Sequence, residues 1–227
     1  MPFIELSRRG AVASTAAVGA LFCLWAFSTG AVAAVYPPGG GAFAADAEGW
    51  QETEATCNVT LLSTCEASGE YDASAGNPPG ALTAKTTVSL NLAALFDSTV
   101  VFESPDFTVA EAGPATVHAE RQFAPGGLLT LMPEADYTVS LIDRGTEVPT
   151  EVISEILDEG DASFAGKDAA AVVVPGRTYA IAIEVSTTSL AALGALSTAA
   201  NVRFDNVALS VQETSGGEGD DGDDGDE

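Results

Sequence analysis

Short hydrophobic runs alternate with polar, turn-forming clusters from residue 80 onward. The runs are rich in Val, Thr, Ile, Leu and Phe, and Gly, Pro, Asp and Asn separate them, which is the pattern of β-strands joined by turns. Alternation is clearest in TYAIAIEV, where Tyr179, Ile181, Ile183 and Val185 fall on one face of an extended strand. The pattern predicts an all-β chain.

Two stretches have a different spacing. TEVPTEVISEILDEG carries Val152, Ile153, Ile156 and Leu157 at helical intervals, and SLAALGALSTAA is rich in Ala and Leu. Because each is short and lies between strands, neither suits a parallel βαβ unit. We expect a two-sheet antiparallel β-sandwich of the jelly-roll type, with about eight strands and one or two short helices in loops.

The first 33 residues have the features of an export signal. Arg8 and Arg9 precede a long run of apolar and small residues, and AVA at residues 31–33 offers a cleavage site. Ser7, Arg8 and Arg9 resemble the start of a twin-arginine signal, although Ala11 departs from that pattern, so the general secretory route stays open. The alternative is an uncleaved membrane anchor, since the apolar run could span a bilayer.

Composition divides the rest of the chain. We expect a Pro/Gly-rich linker at 34–42, a β-sandwich domain at 43–213 and a disordered acidic Gly/Asp tail at 214–227. The 227 residues hold 33 Asp and Glu against 8 Lys and Arg. That imbalance removes the electrostatic driving force for binding nucleic acid or an anionic membrane surface. The export signal predicts a secreted or cell-surface chain, and the charge predicts no nucleic-acid binding and no membrane binding apart from the possible anchor.

An exported domain can form disulfides. Cys57 and Cys65 are the two cysteines left once the signal is removed, and we predict that they pair. The alternative is two free, buried thiols. A metal site is less expected, because no histidine lies near them.

Four landmarks between residues 42 and 211 carry a resemblance to known domains. They are AFAADAEGW (42–50) as a first strand, GNPPGAL (76–82) leading into a second, FESPDFTV (102–109) in mid-chain, and GRTYAIAIEV followed by VRFDNVAL at the end. Their order resembles jelly-roll domains of the galactose-binding-like and carbohydrate-binding-module kind. The resemblance implies a non-catalytic module.

Such domains often hold one structural calcium where the first and last strands lie side by side. The resemblance implies that Asp205, in the final strand, would bind it together with Asp46 and Glu48 from the first, since calcium takes six to eight oxygen ligands. The alternative is that Asp205 and Asn206 form a turn or face solvent while Phe204, Val207 and Leu209 pack in the core. Arg203, Asp205 and Asn206 are unusual polar residues in a strand of this kind.

Sugar binding usually needs exposed aromatic rings and a few polar groups. Tyr71, placed in a loop after the disulfide, is the candidate ring, with Asp72 and Asn77 beside it. Trp50 is a further ligand-binding candidate, although its place in the first strand suits a core role. Phe123 and Phe164 could equally belong to the core.

No catalytic motif is present in the sequence, although paired carboxylates for glycoside hydrolysis stay open in a chain so rich in acids, because separation in space decides that chemistry. The single histidine, His118, lies in an alternating strand where it should face solvent with Thr116, Glu120 and Gln122. No nucleophile elbow accompanies it. We expect a chain that is not an enzyme and that binds an extracellular glycan or a cell-envelope component. The alternative is a structural or adhesive surface protein with no sugar site.

Overall fold

Every regular element that the computed structural model describes is a β-strand, and the strands form two antiparallel sheets. The described residues are 33–39, 41–59, 64–76, 78–90, 94–127, 134–191 and 196–212. The signal prediction, apart from Ala33, and the predicted tail lie outside them. The predicted two-sheet sandwich is confirmed, with twelve strands in the described part rather than about eight.

The first sheet, called sheet A, has the order β10-β7-β12-β4-β3, and β1 pairs with the far end of β12 beyond β4. β12 is therefore hydrogen-bonded along both edges. The strands of sheet A are β1 (Ala33–Tyr36), β3 (Thr64–Asp72), β4 (Ala81–Leu90), β7 (Ala115–Gly127), β10 (Ala165–Ala171) and β12 (Leu196–Gln212).

The second sheet, sheet B, has the order β2-β5-β11-β8-β9, and the two-residue β6 pairs with the start of β11. All four residues predicted to share one face of β11 are buried, as is the face opposite them at Ala180 and Ala182. The strands of sheet B are β2 (Gln51–Val59), β5 (Ala94–Glu103), β6 (Phe107–Thr108), β8 (Glu134–Asp143), β9 (Val148–Leu157) and β11 (Thr178–Ala191).

The expected helices are wrong. Residues 148–157 form β9, and the second stretch is divided between the end of β11 and the start of β12, with 192–195 outside the described residues. In β9 the inward positions are Ile153, Glu155 and Leu157, so a carboxylate occupies the middle of the inward face. That acid interrupts the apolar alternation and leaves a pattern that looks helical.

A β-bulge in β12 explains the polar residues near its middle. The pairing of β12 with β7 shifts between Asp205 and Ala208, and Asn206 has a left-handed φ of 50°. Phe204 points into the core before the bulge, and Val207 and Leu209 do so after it. Because side chains alternate with a period of two, only an inserted residue lets both sets face inward. The predicted core positions of these three residues are confirmed.

The predicted disulfide between Cys57 and Cys65 is present, with the two Cα atoms 5.7 Å apart. β2 belongs to sheet B and β3 to sheet A, so the bond joins the two sheets. Cys65 packs with Val59 against a small cluster of Val88 and Phe96. The disulfide thus closes one end of the sandwich where the apolar cluster is small.

The N-terminal part of the domain differs from expectation. Residues 33–36 form β1 against β12, and the Tyr36 ring stacks on Phe107 with centroids 5.4 Å apart, so ordered pairing begins ahead of residue 43. The segment 42–50, expected to be the first strand, is irregular. Phe43 and Glu48 have left-handed φ values of 48° and 49°, which a strand cannot accommodate.

An ionic cluster also joins the sheets. Arg121 of β7 points inward and binds Glu155 of β9 through Nη2 (2.9 Å) and Nε (3.3 Å), and Asp161 through Nη1 (2.6 Å). The buried Tyr137 donates its hydroxyl hydrogen to Glu155 at 2.9 Å, and the Phe123 amide donates to Asp161. With only 12% of the Arg121 side chain exposed, these charge-assisted bonds are poorly screened by water.

The Arg121 contact sets a pH dependence of stability. Hydrogen bonding to Arg121, opposed by burial, lowers the pKa of Glu155. A carboxyl with a lowered folded pKa stabilises the fold above its unfolded pKa of about 4.3, and that contribution is lost as the pH falls through the folded value. Glu155→Gln should therefore reduce the free energy of unfolding by about 2 kcal/mol at pH 7, with the deficit shrinking below about pH 4.

Urea unfolding of both proteins between pH 3 and pH 7 measures this difference. Glu151→Gln, at an exposed position of the same strand, is the matched control and should change stability by less than about 0.5 kcal/mol throughout. A deficit for Glu155→Gln that does not vary with pH would contradict the ionic role.

Candidate functional site

The irregular segment before β2 packs against the bulge of β12. The Val207 amide donates to the Gly41 carbonyl at 3.2 Å. Gly41 has a φ of 61°, and a Cβ there would lie 2.1 Å from the Val207 carbonyl oxygen. This contact brings the two regions where the calcium ligands were predicted into the same part of the fold.

The three predicted calcium ligands have different surroundings. Asp205 is fully buried, and its Oδ1 accepts from the Asn206 amide at 2.8 Å, so the alternative in which it faces solvent is wrong. Asp46 is exposed in a loop, with its Oδ1 occupied by the Glu48 amide at 2.7 Å. Glu48 is half-buried, and its Oε2 atom has no hydrogen-bond partner among the described residues.

Burial raises the pKa of Glu48, while the backbone N–H groups of Gly41, Ala42 and Phe43 counteract the rise. Within the described residues no group of three or more His, Cys, Asp or Glu side chains lies close enough to hold a metal ion. The predicted carboxylate set is therefore not assembled as a three-acid cluster.

The outer face of sheet A is polar beside the bulge. Thr83 of β4, Arg203 of β12 and Gln122 of β7 are register partners, so their side chains lie side by side on this face. Arg203 Nη1 donates to Gln122 Oε1 at 3.1 Å. One step beyond, Asn206 Nδ2 donates to Glu120 Oε2 at 3.0 Å. Amide, guanidinium and carboxylate groups are thus held in fixed orientations.

Three polar atoms of this face lack partners. Thr83 Oγ1, Arg203 Nε and Asn201 Oδ1 are buried and make no hydrogen bond within the described part of the chain. Thr83 is only 3% exposed. Buried polar groups in proteins are nearly always hydrogen-bonded, and here a donor, a hydroxyl and an acceptor without partners occupy neighbouring positions of β4 and β12.

An open depression of about 480 Å³ lies beside the Gln122 and Arg203 side chains. Its floor is β7 and β12, and its rims are the turn after β3 and the segment before β10. Phe164 of that segment is half-buried and presents the aromatic part of the lining. The residues that carry its chemistry are Ser74, Glu120, Gln122, Phe164 and Arg203. A concave surface with one ring and several fixed polar groups can bind a polyhydroxylated ligand.

The predicted sugar-binding residues are only partly assembled here. Asp72 ends β3, and its Oδ1 accepts from the Ser74 amide (2.8 Å) and hydroxyl (2.6 Å). The Ser74 hydrogen bonds, with a contribution from the Arg203 charge, lower the pKa of Asp72. Asp72 therefore lies beside the depression as an ionised group. Asn77 lies outside the described residues.

Neither predicted aromatic candidate is an exposed platform. Tyr71 belongs to β3 rather than a loop, lies opposite Leu82 and packs against the core. Trp50 is 4% exposed and contacts the Phe43 ring edge-on at 5.8 Å, so its ring cannot stack on a sugar. Sequence reasoning missed Phe164 as the lining ring, because its neighbours give no alternation from which its direction could be predicted.

His118 faces outward as predicted, together with Thr116, Glu120 and Gln122 of β7. Its Nδ1 lies 2.7 Å from Asp168 Oδ1 on the neighbouring β10. This pair is a cross-strand contact at the edge of sheet A.

The sequence matches no protein-family model, and no curated protein matches it in sequence. Solved chains of similar structure include carbohydrate-binding modules. One recognises mannan (13% identity, 72% of this chain and 89% of that chain covered, TM-score 0.41). Another is a xylan-binding domain from Paenibacillus barcinonensis (10%, 74% and 99%, TM-score 0.35).

An adhesin domain of the Lys-gingipain of Porphyromonas gingivalis is also similar (9% identity, 74% of this chain and 95% of that chain, TM-score 0.32). Other matched structures are longer. This chain spans 57% of a structure of carbohydrate-binding modules with promiscuous specificity, and 21% of an enzymatically active bacteriophage tailspike domain. At these identities and scores the fold assignment rests on the strand pairing itself.

In the described part of the chain no helix has the length and hydropathy needed to cross a membrane.

The contact between the N-terminal segment and the bulge can be tested at Gly41. Gly41→Ala should destabilise the fold by at least about 2 kcal/mol more than Gly176→Ala. Both glycines have positive φ, but a Cβ at Gly176 meets nothing within 4 Å. The control therefore carries the left-handed strain without the clash. Urea unfolding measures both variants, and equal losses would show that the close approach to Val207 does not constrain the fold.

Proposed function

We propose that the chain is a non-catalytic β-sandwich module, secreted or displayed at the cell surface, that binds an extracellular glycan on the outer face of sheet A. The observation that carries the proposal is the depression of about 480 Å³ beside the bulge, where Arg203, Gln122 and Glu120 are exposed to one concave surface. Sugar hydroxyls both donate and accept hydrogen bonds, so one ligand class pairs with guanidinium, amide and carboxylate groups alike.

The same depression has the other features of a glycan site. Phe164 offers a partly exposed ring, and Gln122 and Glu120 offer polar groups oriented by Arg203 and Asn206. Because strands hold these groups on a rigid sheet, little conformational entropy is lost on binding. A site of this composition orients a ligand through hydrogen bonds and requires no reacting group.

A glycan array probed with the full chain tests the function, and uniform absence of binding would overturn it. For the ligand found, Arg203→Ala should weaken binding at least tenfold, because Arg203 contributes a charged donor to the lining of the depression. Isothermal titration calorimetry measures the change. Arg177→Ala is the control, since Arg177 is an exposed arginine paired with Asp143 at a different place in the fold. Equal weakening by both changes would argue against this location.

A calcium ion at the contact between the N-terminal segment and β12 is a second proposal, about stability rather than ligand binding. It is supported by the partnerless Oε2 of Glu48 and by the complete burial of Asp205. Calcium should raise the melting temperature of the full chain, and Asp205→Asn should abolish the rise. A variant that melts lower by the same amount in calcium and in chelator would leave Asp205 with a purely structural role at the bulge.

A structural or adhesive role without a sugar site is the second candidate function. Three exposed valines line one groove of about 470 Å³ between β9 and the segment after β10: Val148 (62% exposed), Val172 (89%) and Val174 (45%). Concentration-dependent association in analytical ultracentrifugation, together with a blank glycan array, would favour this role.

A further inference from the structure

Three neighbouring residues of sheet A have buried polar atoms without a partner in the described part of the chain. The atoms are Thr83 Oγ1 on β4, and Asn201 Oδ1 and Arg203 Nε on β12. Thr83 and Arg203 are register partners, and Asn201 precedes Arg203 by two residues, so the three side chains lie at adjacent positions of the outer face. Thr83 is 3% exposed. The three atoms therefore lie beneath the surface of the sheet.

The nearest charged side chains do not supply the missing hydrogen bonds. Lys85 is the register partner of Asn201, and Glu70 of β3 is the register partner of Thr83. Both are exposed, and neither bonds to the buried atoms. Three adjacent polar atoms removed from water without hydrogen bonds would be strongly destabilising. A small ligand held between them would remove that cost.

The donors and acceptors at this position fit a water molecule better than an ion. Arg203 Nε carries one N–H donor, Asn201 Oδ1 only accepts, and the Thr83 hydroxyl does either. A cation would be repelled by the guanidinium, and an anion would face the Asn201 carbonyl oxygen. Water both donates and accepts, and a buried water in a protein typically makes about three hydrogen bonds to polar groups that are otherwise unsatisfied.

We propose that Thr83, Asn201 and Arg203 bind one internal water molecule, and that this water fixes the Arg203 guanidinium at the depression. The water accepts from Arg203 Nε and from the Thr83 hydroxyl, and donates to Asn201 Oδ1. Arg203 Nη1 already donates to Gln122 at 3.1 Å. With Nε and Nη1 both engaged, the plane of the guanidinium is set where Arg203 lines the depression. Thr83 and Asn201 are therefore positioning residues for Arg203.

Thr83→Val tests the water through the sign of its effect on stability. Valine keeps the shape of threonine and removes the hydroxyl. If that hydroxyl bonds to the water, the melting temperature of the full chain should fall by about 3 °C. If the hydroxyl has no partner, valine removes a buried unsatisfied group, and the melting temperature should stay the same or rise. That second result would overturn the proposal.

Thr86→Val is the matched control for this measurement. Thr86 lies on the same strand and is also 3% exposed, and its Oγ1 lies 2.7 Å from Ser98 Oγ. Its valine variant loses a hydrogen bond between two side chains, so its melting temperature should fall whether or not the water is bound. The control therefore calibrates the loss expected at Thr83.

A double variant tests whether Thr83 and Asn201 share one partner. Thr83→Val and Asn201→Leu should together lower the melting temperature by less than the sum of the two single losses, because both act through the same water. Additive losses would show that the two residues have separate partners, and would overturn the shared site.

NMR spectroscopy of the ¹⁵N-labelled full chain observes the water and the Arg203 side chain directly. The Arg203 Nε–H signal should show a cross-peak to a long-lived water and exchange slowly with solvent, whereas that of the exposed Arg177 should exchange rapidly. Thr83→Val should weaken the cross-peak and speed the exchange, and Thr86→Val should change neither. Exchange at Arg203 as fast as at Arg177, or no water cross-peak, would contradict the proposal. These readouts need no glycan, so the result of the glycan array does not affect them.

Discussion

The bulge in β12 is the constraint on which the rest of the sandwich depends. β12 pairs with β7 along one edge and with β4 and β1 along the other, so its register fixes sheet A. The bulge shifts the inward-facing positions from Phe204 to Val207, allowing both halves of the strand to bury apolar residues. It also gives the Gly41 segment a backbone partner. The polar residues around the bulge therefore belong to the register shift that lets β12 bury apolar side chains on both sides of it and pair with the Gly41 segment.

Much of the fold could be predicted from alternation. The buried face of β11, the outward face of β7 and the disulfide were all predictable, because each depends on local spacing or on cysteine count. β9 was not, since Glu155 occupies an inward position and is stabilised there by Arg121, a residue from the other sheet. The segment 42–50 was missed for a different reason: left-handed residues such as Phe43 carry no signal in their residue type.

The candidate site was likewise predictable only in part. Alternation predicts that Gln122 faces outward, and Arg203 stands out as a polar residue in a strand. What cannot be predicted from one sequence is the register that sets Thr83, Arg203 and Gln122 at the same level of three strands that are far apart in the chain. Tyr71 failed as a candidate because its strand extends further than its polar neighbours indicate, which directs the ring into the core.

The scarcity of basic residues connects stability with binding. Among the described residues, Arg121 joins the two sheets, Arg144 binds Glu103 and Asp106, and Arg177 binds Asp143. These bases are held by acids at fixed places and cannot move to neutralise others. The many remaining carboxylates therefore produce a field that the protein itself does not cancel. Arg203 is placed where that field meets a concave polar surface, so a ligand there experiences the uncompensated acids as well as the hydrogen bonds.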